Sequence, residues 1–357
     1  MLMILWMSLL LLGMPAAMVK SDNDDKSVSS HHAVLNDGSQ MPMVGLGVAL
    51  SGDDTYKAVQ WALSYGYRLI DTAADETYDN EDLVGQAIRD WGKDKVFVTT
   101  KLWDSDHGFY QTLEAFEESY EKLNASEPLD LYVMHSPFGG RILETWDAML
   151  FLQSKGYIKS IGVSNFGVNH LEAMANSGRP LPVVNQIEMH PLIFQQRLPL
   201  LKWCQEHNVK IQAYGSMMSG YPKWLEAELL VDIAERYKKT TAQILLRWAL
   251  QHDFLVIPKS VREERIKSNC QLYDFVMSED DMNVLDHWGD SIKKKNRLMY
   301  KRSWNWNPID EADVHLGKTH YWPKFEGVEE SLSEDYDYGE GGNNEDWEEV
   351  IDTKNEL

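Results

Sequence analysis

Eight short apolar runs, most of them leading into a stretch of helical periodicity, constrain this chain more than any other feature. The runs lie at 44–47, 68–73, 96–102, 129–135, 160–166, 184–190, 210–215 and 254–260. They are rich in Val, Ile and Leu without strict polar alternation, the pattern of parallel strands covered on both faces. Helical period follows at 54–65, 80–91, 141–156, 241–251 and 261–272, and Ile142, Trp146 and Met149 share one stripe of the third. Strand-then-helix repeated eight times within about 260 residues predicts an α/β fold, a (β/α)8 TIM barrel. Residues 33–43, centred on Asn36-Asp-Gly, predict an N-terminal β-hairpin plugging the bottom of that barrel.

A parallel barrel carries its chemistry at the C-terminal ends of its strands. Those ends read Asp71, Lys101, His135, Asn165, Gln186, Tyr214 and Lys259. One polar residue closing an apolar strand has a bland explanation. Seven at one rim predict an active site.

Longer motifs surround these residues. In order they are Gly66-Tyr-Arg-Leu-Ile-Asp-Thr-Ala73, Thr99-Thr-Lys-Leu-Trp103 and Leu129-Asp-Leu-Tyr-Val-Met-His-Ser-Pro137. Then come Ile161-Gly-Val-Ser-Asn-Phe166, Val184-Asn-Gln-Ile-Glu-Met-His-Pro191 and Val256-Ile-Pro-Lys-Ser-Val261. Together they resemble the aldo-keto reductase family over residues 33–326. The resemblance implies NADP-dependent reduction of aldehydes or ketones by a catalytic group of Asp71, Tyr78, Lys101 and His135. Physical logic supports that group. Hydride delivered to a carbonyl leaves a developing alkoxide, which needs a proton donor. A phenol with an ordinary pKa near ~10 is a reluctant acid. An adjacent lysine is expected to lower it, with a buried aspartate keeping the lysine charged. A histidine at the same rim can position the carbonyl oxygen.

One departure concerns Tyr78. The family places its tyrosine five residues after the aspartate, where this chain has Glu76. Aligning on Asn80-Glu81 makes Tyr78 the match, with two residues inserted before it. If the insertion turned Tyr78 away, the chain would be a catalytically silent cofactor- or ligand-binding protein on the same fold.

By the same resemblance Ser164, Asn165 and Gln186 hold a nicotinamide carboxamide and Tyr214 stacks under the ring. Lys259, Ser260 and Arg262, with Arg265 on the next helix, suit an anionic 2′-phosphate, so NADP is expected rather than NAD. Asn269 resembles the adenine contact. On the substrate side Trp103 and His135 are the expected walls, while Ala49 and Ser136 stand where relatives carry aromatics. Residues 291–325 would supply a variable loop, with Met299, Tyr300, Trp304 and Trp306 as candidates. A small-molecule carbonyl is the expected partner, met by a monomer.

Composition limits other roles. Lys plus Arg number 34 against 56 Asp plus Glu, a net charge of −22. That field repels phosphate backbones, so no nucleic-acid partner is expected. Residues 327–357 hold twelve acids and one base, half of the net charge, and read as a disordered acidic tail. A scaffold or calcium-buffering role through this tail is a further alternative. Residues 1–18 are apolar apart from Ser8 and read as a signal peptide or an anchor, with 19–32 as linker. Lys354-Asn-Glu-Leu357 resembles the retrieval signal of endoplasmic-reticulum proteins and implies a retrieval receptor. Asn124-Ala-Ser126 is a glycosylation sequon. The three features predict a glycosylated lumenal protein built on a 33–326 barrel, or a secreted or membrane-anchored one. Cys204 and Cys270 make no metal-ligand spacing and no disulfide framework.

Overall fold

The computed structural model describes residues 27–75 and 78–291. The leader, the variable loop beyond 291, the acidic tail and the retrieval-like ending lie outside the described residues. The expected hairpin is present as β1 (His32–Val34) and β2 (Gln40–Pro42), with Ala33 opposite Met41. Parallel strands follow: β3 (Leu46–Gly47), β4 (Leu69–Asp71), β5 (Phe97–Leu102), β6 (Leu129–Met134), β7 (Ile158–Ser164), β8 (Val184–Glu188), β9 (Lys210–Tyr214) and β10 (Leu255–Val256). Each pairs with the next in one sheet. Bridges from Val44 to Val256 and from Gly47 to Lys259 join the first strand to the last. The sheet therefore curls back on itself, as a (β/α)8 barrel requires.

Around it run α1 (Thr55–Ser64), α2 (Glu81–Trp91), α3 (Phe109–Lys122), α4 (Ile142–Ser154), α5 (Val168–Asn176) and α6 (Phe194–Glu206). The second half carries α7 (Pro222–Leu225), α8 (Glu228–Tyr237), α9 (Thr241–Gln251), α10 (Glu263–Asn269) and α11 (Glu279–Asp286). Caps explain several boundaries. Thr240 accepts the Gln243 N–H while the Gln243 side chain accepts that of Thr240, a reciprocal cap that starts α9. α4 begins one residue later than expected because Arg141 is left-handed, at φ 47°. α10 is shorter than its apolar period because Arg262 stays extended while its N–H is held by Ser260 Oγ at 3.1 Å.

Side-chain alternation then decides where the chemistry sits. Leu69, Phe97, Leu131, Val133, Val184, Leu255 and Ile257 cluster with Ala33, Leu35 and Met41 of the hairpin segment. Their chain neighbours Ile70, Tyr132, Met134 and Val256 join the larger core beneath the helices. The strand period of two thus builds two cores, one inside the barrel and one outside. Each fully buried large aliphatic residue contributes about 1.5–3 kcal/mol. At the bottom, Ser160 Oγ donates to Asp37 Oδ2 at 2.6 Å and pins the plug. Moving up the same inward positions, the residues change to Asp71, Lys101, Gln186 and Gln212. Apolar packing closes the bottom, and polar groups line the top.

Candidate active site

Lys101 has no exposed side-chain surface. Burying an ammonium costs several kcal/mol unless its donors are matched, and here all three are. Nζ donates to Asp71 Oδ1 at 2.5 Å, to the Thr72 carbonyl at 2.7 Å and to the Tyr78 hydroxyl at 3.5 Å. Gln186 Nε2 donates to the other Asp71 oxygen at 2.7 Å and also to Gln212 Oε1 at 2.7 Å. Burial raises Asp71 above the usual carboxylate value, opposed by Lys101 and Gln186. Four strands, β4, β5, β8 and β9, meet in this one network.

The insertion does not turn Tyr78 away. Its N–H is held by the Asp75 carbonyl at 3.0 Å, and its ring lies beneath the Lys101 ammonium, 4.9 Å from centroid to Nζ. One expectation is reversed. The net shift is upward: burial, then the charges of Asp71 and Asp75, push the phenol well above its ordinary value and outweigh the lysine. The reason is geometric. Lys101 is already matched by Asp71 at 2.5 Å and only grazes the hydroxyl at 3.5 Å. Tyr78 is held as a protonated phenol.

His135 directly follows β6, with its backbone fixed on both sides. Its N–H donates to the Leu102 carbonyl, and its own carbonyl accepts Asn165 Nδ2, both at 3.0 Å. Its ring meets Trp103 edge-on at 4.9 Å and Tyr78 edge-on at 6.1 Å. Burial, then Lys101 and His107, pull it well below its ordinary value. These four side chains and Trp103 surround one spot at the strand ends.

The expected cofactor residues continue around the rim. Ser164 Oγ donates to the Gln186 carbonyl at 2.8 Å and accepts Asn165 Nδ2 at 3.0 Å, while Tyr214 donates to Asn165 Oδ1 at 2.8 Å. Lys259 reaches across the barrel closure to the Leu50 carbonyl at 3.1 Å, and burial pulls its pKa below the ordinary value. Ser260 is buried two residues before the Arg262 cap of α10, Arg262 and Arg265 are exposed, and Asn269 is buried on the last turn. Tyr65 holds Glu263 at 2.7 Å, drawing one of the two acids of the first turn toward α1.

Sequence reasoning missed three neighbours. Asp75 is buried, with Oδ2 3.3 Å from His135 Nδ1. Asp104, just after Trp103, accepts Ser136 Oγ at 2.7 and 2.8 Å, so Ser136 faces that carboxyl. Burial pushes Asp104 up to about 7, and His107, whose Nε2 lies 3.9 Å away, is pulled by burial down to about 4. The available clue was an acidic 104–106 loop facing a serine in an aromatic's usual place. Cys204 and Cys270 are both free, and Asn124 is exposed in the turn after α3.

Comparison with known proteins agrees with this geometry. The profile of the Aldo/keto reductase family matches residues 43–290. Glyoxal reductase of Bacillus subtilis (strain 168) is 41% identical over 256 residues, covering 71% of this chain and 90% of its own. Methylglyoxal reductase DkgA of Escherichia coli (strain K12) is 40% identical over 256 residues, covering 70% and 90%. The crystal structure of a Bombyx mori aldo-keto reductase in complex with NADP superposes with a TM-score of 0.70 at 32% identity, covering 78% of this chain and 98% of that one. Barrel, rim and relatives lead to one conclusion: the chain belongs to the aldo/keto reductase family of oxidoreductases.

Proposed function

We propose that the chain is an NADP-dependent reductase of aldehydes or ketones, with Tyr78 as the proton donor. The observation that carries this reading is the Tyr78 hydroxyl 3.5 Å from Lys101 Nζ, despite two extra residues in the loop before it. The relatives that act on glyoxal and methylglyoxal make small dicarbonyls the first substrates to try.

The rim residues fit a nicotinamide dinucleotide. Ser51 Oγ, beside the Leu50 carbonyl that Lys259 holds, is buried without a hydrogen-bond partner among the described residues. A polar ligand at this edge would satisfy it. Ser164, Asn165 and Gln186 offer amide and hydroxyl groups for a carboxamide, and Tyr214 offers a ring face. Lys259, Arg262 and Arg265 would take a 2′-phosphate, with Ser260 and Asn269 beside them. When bound, the reduced nicotinamide supplies the hydride.

The protein's part is positioning and proton supply. His135 and Trp103 orient the carbonyl. As charge develops on its oxygen, the Tyr78 hydroxyl gives up its proton, and Lys101, fixed by Asp71, stabilises the phenolate left behind. A general acid of this kind is worth about 10²–10⁴-fold in rate. Tyr78→Phe should lower kcat for methylglyoxal by that order while leaving the NADPH dissociation constant within about twofold. Unchanged turnover would move the proton elsewhere.

We also propose that the protein resides in the endoplasmic-reticulum lumen. The exposed sequon at Asn124 supports this, together with the apolar leader and the Lys354–Leu357 ending.

A further inference from the structure

Asp75 follows Ala74 in the loop between β4 and α2, where this chain carries its two additional residues. Its side chain is buried at 2% exposure, and Oδ2 stands 3.3 Å from His135 Nδ1. The approach is an ion-pair contact rather than an aligned hydrogen bond, and Nδ1 makes no hydrogen bond among the described residues. The imidazole cannot easily swing elsewhere, because its backbone is tied to Leu102 and Asn165 and its ring is set edge-on to Trp103 and Tyr78.

A carboxylate facing Nδ1 selects the tautomer with its proton on Nδ1. Nε2 is then a lone pair. It accepts hydrogen bonds and cannot donate one to a carbonyl oxygen. We propose that Asp75 is a positioning residue for His135: it holds the imidazole proton on Nδ1, so the pair must take up a second proton before Nε2 can donate to the substrate. This rests on the carbonyl-reductase reading above. In the reaction the carbonyl carbon accepts hydride from the reduced nicotinamide, the C=O π pair moves to oxygen, and that oxygen takes the Tyr78 proton. The protonated His135–Asp75 pair holds the oxygen through Nε2–H and keeps its own protons.

The surroundings define what titrates. Facing the pair are Asp71 from β4, Tyr78 from the following loop, Lys101 from β5, and Asp104 with His107 from the loop after β5. Asp71 and Lys101 form a matched ion pair, and Tyr78 stays protonated. Burial and the Lys101 charge oppose an imidazolium at His135, and the Asp75 carboxylate facing Nδ1 at 3.3 Å is a negative charge that favours one. Reduction should therefore slow as pH rises through the macroscopic pKa of the pair.

The test uses the full chain labelled with ¹⁵N-histidine and long-range ¹H–¹⁵N spectra, with His135 assigned by its loss in His135→Gln. At alkaline pH the wild type should show a proton on Nδ1 and none on Nε2, with both nitrogens protonated after acid titration. Asp75→Asn can still accept from Nδ1 but carries no charge. It should keep the tautomer and move both the titration and the alkaline limb of kcat down by at least about one pH unit. Asp75→Ala should pass the proton to Nε2 and abolish that limb. A wild-type spectrum with the proton on Nε2, or the same titration in Asp75→Asn, overturns the proposal even if the variants fold poorly. A chain that reduces no carbonyl would defeat the reductase reading, while the spectra would still decide the role of Asp75.

Discussion

Lys101 depends on Asp71 more than on any other residue. Its ammonium is fully buried and meets carboxylate at 2.5 Å, whereas its other two acceptors are uncharged. Removing one partner of such a pair strands the other charge and costs about 3–5 kcal/mol. Asp71→Ala should lower the urea midpoint accordingly and abolish turnover. Combining Asp71→Leu with Lys101→Met should recover most of the stability and none of the activity. A single variant as stable as the wild type would show that the pair is not buried as described. At this scale Asp71, Lys101 and His135 were legible because ionisable residues ending apolar strands are expensive to bury without purpose. Asp75 was not legible. Within the inserted stretch nothing in the residue order distinguishes an acid turned inward from one left in solvent.

Among elements, the loop from β5 to α3 and the one from β6 to α4 are joined by buried polar contacts that favour neutral groups. Asp104, raised from 3.8 to about 7, binds its proton more tightly in the fold than in the unfolded chain. Its contribution is present below the unfolded value and is lost as pH rises from about 4 through about 7. His107, lowered from 6.5 to about 4, has the opposite sign. Its contribution is present above 6.5 and is lost as pH falls toward 4. Each is worth up to about 1.4 kcal/mol per pH unit across its window, so the two slopes oppose one another where they overlap. Asp104→Asn should unmask the histidine slope, with stability rising between pH 4 and 6.5. His107→Gln should unmask the aspartate slope, with stability falling toward pH 7. Parallel urea-stability curves for all three proteins would refute this coupling. The eight apolar runs and five helical periods read from the sequence fell within a few residues of their strands and helices, whereas α3, α5, α6, α7, α8 and α11 had no period assigned. The ends were not foreseen, because Arg141 and Ser260 set them through backbone conformation and capping rather than hydrophobic period.

For the whole molecule, barrel and rim followed from one repeated pattern and the plug from Asn36-Asp-Gly, while the packing of Met41 into the inner core is seen only in the structure. What the pattern did not reveal was the balance of charges around Tyr78, which depends on residues far apart in the chain meeting inside one barrel. The lumenal proposal has its own check. The protein expressed in a secretory host should carry a glycan removed by endoglycosidase H and absent from Asn124→Gln, whereas a full-length chain fractionating with cytosol would contradict it. The central claim is that a lengthened loop still delivers Tyr78 to Lys101 in a working carbonyl reductase. It is tested most directly by a single turnover, with enzyme in excess over NADPH and methylglyoxal added. The account predicts complete loss of the reduced-nicotinamide absorbance in the wild type and its retention in Tyr78→Phe. NADPH that binds to the wild type yet stays reduced with methylglyoxal, glyoxal and a panel of simple aldehydes would contradict it and identify a silent binding protein.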